Sequence, residues 1–145
     1  MTGRRKSREA ALCALYSLEM NPGDAKRRVR EVMPLLRKPE TIAFAEELVA
    51  GVFAARGFLD EITGRFALNW KLDRLALIER NLLRLALYEM CYLYPAVPRK
   101  VAINEAVDLA RKYGSEDAYR LVNGLLDRVR EELDAGRLSV PRKDP

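Results

Sequence analysis

The feature of this sequence that most constrains its fold is the spacing of its apolar residues, which recur three and four positions apart. Leu12, Leu15 and Leu18 form one such stripe near the start, and Leu121 and Leu125 belong to another near the end. No stretch alternates strictly between apolar and polar residues for the length of a strand. Because one face of an α-helix returns every 3.6 residues, this spacing predicts an all-α fold.

The predicted helices form one domain over about residues 1–138, followed by a polar tail at 139–145 that we expect to be disordered. A junction near Trp70 divides the domain into two packed small helical bundles, about 1–68 and 70–136, neither large enough to be independent. Stop and cap signals predict about seven helices. They cover about 6–20, a segment after Asp24, 40–66, a short and a longer helix that meet near Glu79, 100–113, and a segment capped by Ser115.

The composition excludes several classes of catalytic site. The chain has no histidine, which removes Ser-His-Asp catalysis, Cys-His catalysis and histidine-ligated zinc. Cys13 and Cys91 stand far apart outside any CxxC pair, and no GxGxxG or GxxxxGK[ST] motif occurs. We therefore predict a protein that is not an enzyme and that needs no metal and no cofactor. Because no apolar run is long enough for a bilayer and no secretory signal is visible, we expect a cytoplasmic protein without a membrane partner.

Positive charge is concentrated at the start of the chain. Residues 1–38 hold 10 Lys and Arg against 4 Asp and Glu, whereas residues 39–145 hold 16 against 17. The densest part is the run Arg4–Arg8, whose first residues we expect to be flexible before binding. A local basic patch of this kind indicates a polyanion partner such as RNA. A solvated basic terminus without a partner is the alternative that composition leaves open.

A second group of charges interrupts the apolar segment that follows Trp70. Glu79, Arg80 and Arg84 stand there among leucines, and the two arginines lie four residues apart on one helix face. Like charges at this spacing are mildly unfavourable in an isolated helix. Either a partner surface or an internal network of ion pairs would offset that cost.

Four segments, taken in order, resemble the NusB family of bacterial transcription antitermination factors. They are Arg4–Glu9 leading to Ala14–Tyr16, Ile78–Glu89, Val97–Val107 and Leu121–Asp127. The resemblance implies a two-bundle helical fold and binding to the boxA element of nascent RNA, together with the ribosomal protein NusE. It also implies membership of an RNA polymerase antitermination complex that reads through terminators in ribosomal RNA operons. Since members of the family differ in self-association, a homodimer remains open.

The resemblance also assigns roles to individual positions. Leu121 stands where the family often has Phe, so an aromatic contact there would be lost. The implied RNA-binding residues are Arg4, Arg5, Lys6, Arg8, Tyr16, Phe66, Asp117 and Arg120, and the implied NusE-binding residues are Glu79 and Arg80.

Two other functions remain as alternatives. The same fold occurs as the N-terminal domain of some ribosomal RNA cytosine methyltransferases, which would require a Rossmann-type catalytic domain that these 145 residues do not include. A helical adaptor without any RNA contact is the other. The RNA affinity of the isolated protein separates the adaptor from an RNA-binding factor.

Overall fold

The computed structural model describes residues 3–67 and 75–142, and every regular element in these two ranges is a helix. The predicted all-α class is therefore confirmed. The short helix predicted to start near Leu72 begins outside the described ranges. No helix in these ranges is long and apolar enough to cross a membrane. The described residues form six helices, α1 (Gly3–Met20), α2 (Ala25–Val32), α3 (Pro39–Phe66), α4 (Leu77–Tyr92), α5 (Arg99–Tyr113) and α6 (Ala118–Asp134).

The first three helices pack on one another, and so do the last three. Helix α1 lies against α2 and α3, while α4 lies against α5 and α6. Helices α1 and α3 also pack on α4, so that the two groups share one continuous hydrophobic core. Leu12, Leu48, Leu87 and Leu125 are fully buried in that core. Helix α4 is thus the central element, which explains why 11 of its 16 residues are buried.

The contact between α3 and α4 depends on a glycine. A Cβ atom built on Gly51 would lie 2.1 Å from Cζ of Tyr88, a distance that real side chains do not reach. Tyr88 itself is fully buried and stacks on Tyr92, with ring centroids 5.4 Å apart. The absence of a side chain at Gly51 therefore lets the large Tyr88 ring lie directly against the backbone of α3.

The segment after α6 makes contacts as far as residue 141, whereas the last part of the tail predicted to be disordered, 143–145, lies outside the described residues. Gly136 has a φ of 72°, a left-handed conformation that turns the chain at the end of the helix. Leu138 is then buried, Val140 packs against the core, and the hydroxyl of Tyr92 donates to the carbonyl of Pro141 at 2.9 Å. The segment is polar in composition, but its two apolar side chains, Leu138 and Val140, both pack on the core.

Candidate nucleic-acid interface

The basic run lies on the first two turns of α1, which begins at Gly3 rather than near residue 6. Its first residues, expected to be flexible before binding, are part of the helix in this structure. Arg4 is exposed, and its guanidinium lies 4.4 Å from the centre of the Phe44 ring on α3. Lys6 is exposed as well. These two cations are open to a ligand that approaches the start of the helix.

Arg5 is held by two carboxylates of α5. Its Nε donates to Oε2 of Glu105 at 2.9 Å, and its Nη2 donates to Oδ2 of Asp108 at 3.0 Å. The hydrogen bond that Arg5 donates to Glu105 raises the pKa of Arg5, so the guanidinium is charged at any working pH. The Arg5 side chain is nevertheless 41% exposed. It therefore stands at the surface with an acidic partner that an incoming phosphate would have to replace.

Arg8 occupies a different environment, and the expectation that it belongs to the RNA surface needs correction. The residue is only 4% exposed, and its Nη2 donates to Oε1 of Glu89 at 2.7 Å while its Nε donates to Oε2 at 2.9 Å. Glu89 is fully buried on α4, and this burial raises its pKa despite the opposing hydrogen bonds from Arg8. Since Arg8 lies one turn deeper than Arg4 on the same face of α1, it meets α4 instead of solvent.

Ser7 interrupts the basic run because its side of the helix faces α3. Its buried hydroxyl donates to the carbonyl of Thr41 at 2.6 Å. Gly3 lies so close that an added Cβ would be 2.8 Å from Oγ1 of the same threonine. These contacts fasten the first turns of α1 to the first turn of α3, and they fix where the flanking cations point.

A groove between α5 and α6 adjoins the basic run. It encloses a cavity of about 600 Å³, lined among others by Asn104, Asp108, Arg111, Tyr119, Arg120 and Asn123. Two guanidiniums lie near the Tyr119 ring, that of Arg111 at 4.8 Å and that of Arg120 at 5.6 Å from its centre, and Nε of Arg120 donates to the Tyr119 hydroxyl at 3.1 Å. Because Asp108 lines the groove and also holds Arg5, the groove and the start of α1 form one surface.

We call this surface, from Arg4 through Arg5 and Asp108 to Arg120, the α1–α5–α6 surface. The resemblance pointed to Arg4, Arg5, Lys6 and Arg120 but missed the groove residues Arg111 and Tyr119. The available signal was an aromatic residue next to Arg120 in the sequence, with another arginine in the last turn of the preceding helix. Their proximity depends on the way α5 packs against α6, which residue spacing alone does not reveal.

The remaining implied RNA residues are more scattered. Asp117 is exposed and precedes the first residue of α6, so that it adjoins Arg120 one turn later. Tyr16 is 41% exposed on α1. Phe66 is partly buried at the end of α3, where its carbonyl accepts a hydrogen bond from Nη2 of Arg128 at 2.9 Å. The contacts seen in 3–67 and 75–142 do not join Tyr16 or Phe66 to the groove.

The implied partner residue Glu79 is buried, and its carboxylate makes internal hydrogen bonds. Oε2 accepts from the backbone N–H of Ala76 at 3.1 Å, which caps the start of α4, and Oε1 accepts from the hydroxyl of Ser115 at 2.7 Å. Ser115 was expected to cap the last helix, but that position belongs to Asp117, and α6 begins at Ala118. The Glu79 carboxylate is thus engaged inside the protein, and its implied contact with NusE stays a prediction.

The two arginines of the same segment differ. Arg84 is buried and pairs with Glu19 and with Asp60, the latter through Nε and Oδ1 at 2.7 Å. The internal ion-pair network that sequence analysis left open is therefore present at Arg84. Arg80 is half-buried, and within the described part of the chain its Nε is buried without a hydrogen-bond partner.

Comparison with known proteins decides the family. Residues 5–131 match the sequence model of the NusB family. The chain belongs to the NusB family. Its relatives in the NusB family include the transcription antitermination protein NusB of Myxococcus xanthus, 43% identical over 139 residues that cover 92% of this chain and 99% of that protein.

Two solved structures from the NusB family share the fold. NusB of T. maritima superposes with a TM-score of 0.82 at 32% identity, covering 91% of this chain and 93% of that one. A crystal structure of the antitermination factors NusB and NusE in complex with dsRNA matches with a TM-score of 0.79 at 27% identity. The match covers 90% of this chain and 98% of the chain in that structure.

Proposed function

We propose that this chain is a transcription antitermination factor that binds boxA-type single-stranded RNA together with NusE. In this role it joins the RNA polymerase antitermination complex in the cytoplasm and performs no enzymatic reaction. Family membership supports the proposal, and the relative that crystallised with NusE and dsRNA supports the pairing of NusE with RNA binding. The antitermination name of the Myxococcus relative favours this role over a methyltransferase domain.

The observation that carries the RNA-binding role is the continuity of the α1–α5–α6 surface. Arg4, Arg5 and Lys6 present three cations at one end of it, which can neutralise phosphates. Tyr119 and Arg120 stand at the other end, where an aromatic ring and a planar guanidinium offer faces for unpaired bases. Such a combination of backbone charge and stacking is typical of proteins that bind single-stranded RNA.

Glu105 and Asp108 restrain this surface in the free protein. They hold Arg5 until a phosphate takes their place, and their own negative charge repels RNA. An exposed ion pair is worth only about 0.2–1 kcal/mol, so the exchange costs little. The two carboxylates therefore position Arg5 without preventing its use.

NusE would bind where the resemblance places it, at the start of α4. We propose that Glu79 supports this surface from within by joining Ala76 to Ser115, while Arg80 reaches the partner. We propose that bound NusE increases the affinity for RNA, and linkage then requires RNA to increase the affinity for NusE by the same factor.

The test is a titration of labelled boxA-type RNA at several salt concentrations, with and without NusE. Replacing Arg4, Arg5 and Lys6 with Ala should lower the log–log salt slope by about 0.7 per lost phosphate contact, about 2 in all. Arg8 stays intact because its loss would damage the core. The matched control replaces Lys26, Arg27 and Arg30, three exposed cations of α2.

Wild-type protein that fails to bind the RNA at low salt, alone and with NusE, would overturn the proposed function. An unchanged slope in the α1 variant, with RNA binding intact, would move the RNA surface away from the start of α1.

A further inference from the structure

A second cationic region lies beside the basic run, on the side away from α5. It is a cavity of about 220 Å³ between the start of α1 and the segment that joins α2 to α3. We call it the α2–α3 pocket. Its lining contains three cations and no carboxylate, and consists of Gly3, Lys6, Leu35, Leu36, Arg37, Lys38 and Thr41.

The three cations of the pocket differ from the arginines of α1 in how they are partnered. Lys6, Arg37 and Lys38 are exposed, and no ion pair within the described ranges involves any of them. Arg5 and Arg8, in contrast, are both paired with carboxylates. Three like charges that converge on one cavity repel one another, and an anion in the cavity would remove that repulsion.

The backbone around the pocket is held in place. The hydroxyl of Ser7 binds the carbonyl of Thr41, which keeps Lys6 beside the start of α3. The carbonyl of Lys38 accepts from the backbone N–H groups of Thr41 and Ile42, both at 3.1 Å. The N–H of Leu36 donates to the carbonyl of Met33 at 3.1 Å. The cations therefore extend from a defined frame on both sides of the cavity.

We propose that the α2–α3 pocket binds one backbone phosphate of the RNA strand, at a nucleotide outside the segment that the α1–α5–α6 surface reads. This inference rests on the proposed function. Lys6 lines the pocket and directly follows Arg5 in α1, so a strand that passes Arg5 can continue to the pocket. Leu35, which is 80% exposed at the rim, offers an apolar contact for the adjoining ribose or base.

A phosphate fits the pocket better than a specific base does. The lining supplies ammonium and guanidinium donors, which match phosphate oxygens, and it contains no aromatic ring for stacking. Phosphate contacts position a nucleic acid without reading its sequence. The pocket should therefore extend the bound length of RNA without adding sequence preference.

The experiment compares wild type with the variant Arg37→Ala/Lys38→Ala. Both side chains are exposed, and Lys38 makes no side-chain cap to α3, so the fold should be unaffected. The probes are a boxA-type RNA with several added uridines on both sides and the same RNA without them. Each is titrated over a range of salt concentrations.

We expect the variant to bind the extended RNA more weakly, with a log–log salt slope reduced by about 0.7, the value for one lost phosphate contact. The difference should vanish for the RNA without flanks. Exchanging the flanking uridines for adenines should leave the effect unchanged, because a phosphate contact carries no base information.

The matched control is Lys26→Ala/Arg27→Ala, which removes the same charge from the first turn of α2. The side chain of Arg28 binds Ser17, so this turn lies beside the far part of α1. From Gly3 to Ser17 that helix rises by about 21 Å. The control should keep the wild-type slope on both RNAs.

Several outcomes would overturn the inference. A wild-type slope in Arg37→Ala/Lys38→Ala on the extended RNA would reject the pocket while leaving the proposed function standing. An equal loss in the control would show a general field effect without a site. A loss of NusE affinity with unchanged RNA binding would assign the pocket to an acidic protein surface. Wild-type protein that binds neither RNA would reject the pocket and the proposed function together.

Discussion

Arg5 and Arg8 lie three residues apart on α1, and each donates two or more hydrogen bonds to carboxylates of another helix. Arg5 meets Glu105 and Asp108 with its side chain 41% exposed, whereas Arg8 meets Glu89 with its side chain 5% exposed. Water screens the first contact and is excluded from the second. A cation of the first kind can exchange its partner for a phosphate, and one of the second kind cannot.

The same contrast between buried and exposed cations is found elsewhere in the molecule. Arg84, buried beside Asp60 and Glu19, resembles Arg8 and joins α4 to α1 and α3. Lys6 and Arg37 are exposed like Arg5 but have no ion pair within the ranges described. Burial, more than position within a charged run, therefore separates the cations that hold this fold together from those that can bind a ligand.

The largest effect should follow from Arg8→Ala. The substitution leaves the Glu89 carboxylate buried without its partner, which should cost about 3–5 kcal/mol of the free energy of unfolding. Arg5→Ala, the control for an exposed pair, should cost less than about 1 kcal/mol. Urea denaturation monitored by circular dichroism measures both. If both variants lose the same free energy of unfolding, the two arginines do not differ in their contribution to stability.

Glu79→Ala tests whether the loss of a buried carboxylate that is not paired with α1 also destabilises the protein. The change removes the acceptor for Ala76 and Ser115 and should destabilise the protein by about 1–3 kcal/mol. Glu116→Ala, an exposed acid near Ser115, serves as the matched control and should be nearly neutral. Weaker NusE binding by Glu79→Ala with unchanged stability would instead make Glu79 a direct contact.

The pH dependence of Arg8→Ala should reveal the cause of its instability. Burial raises the pKa of Glu89 above the ordinary 4.5, and removal of Arg8 takes away the hydrogen bonds that oppose the rise. A carboxyl whose pKa is higher in the folded than in the unfolded state destabilises the fold when it is ionised. This penalty disappears as the pH falls to the pKa of the same carboxyl in the unfolded state. The gap between variant and wild type should therefore narrow from pH 7 toward pH 4.5 in urea titrations. A constant gap would assign the loss to packing.

The smallest effect should come from Asp108→Asn, which removes one of the two carboxylates that pair with Arg5, leaves the pair with Glu105, and takes a negative charge from the RNA surface. An exposed pair of about 0.2–1 kcal/mol corresponds to an affinity change of up to about fivefold, here an increase for boxA-type RNA. Glu31→Gln removes an equal charge from an exposed pair on α2 and should have no effect. Lower affinity in Asp108→Asn would mean that Asp108 assists RNA binding.

Residue spacing predicted the helical core well because core positions follow local periodicity. The predicted helix limits of about 40–66 and 100–113 differ by one residue at the start from the observed α3 (Pro39–Phe66) and α5 (Arg99–Tyr113). The burial of Arg8 escaped prediction because its partner is 81 residues away. A charge in a basic run is normally at the surface, and only the packing of α1 on α4 reverses that expectation.

The candidate site was predictable in part for the same reason. Positions such as Arg4 and Arg5 could be proposed from the local run and the family resemblance, which remains the source of Tyr16 and Phe66 as candidates. The pairing of Arg5 with Asp108 depends on helices far apart in sequence. So does the use of Ser115 as a donor to Glu79 rather than as a helix cap.

Helix α1 is continuous from Gly3 through the basic run, and this has a consequence for the entropy of RNA binding. Ordering a flexible residue costs about 1–2 kcal/mol of backbone freedom, which a disordered basic arm would lose on contact. Here the hydrogen bond from Ser7 to Thr41 sets that conformation before RNA arrives. The cations also keep a fixed rise of about 1.5 Å per residue along the helix. The RNA backbone is therefore the partner that must adjust its shape, and its flexibility governs the strength of the complex.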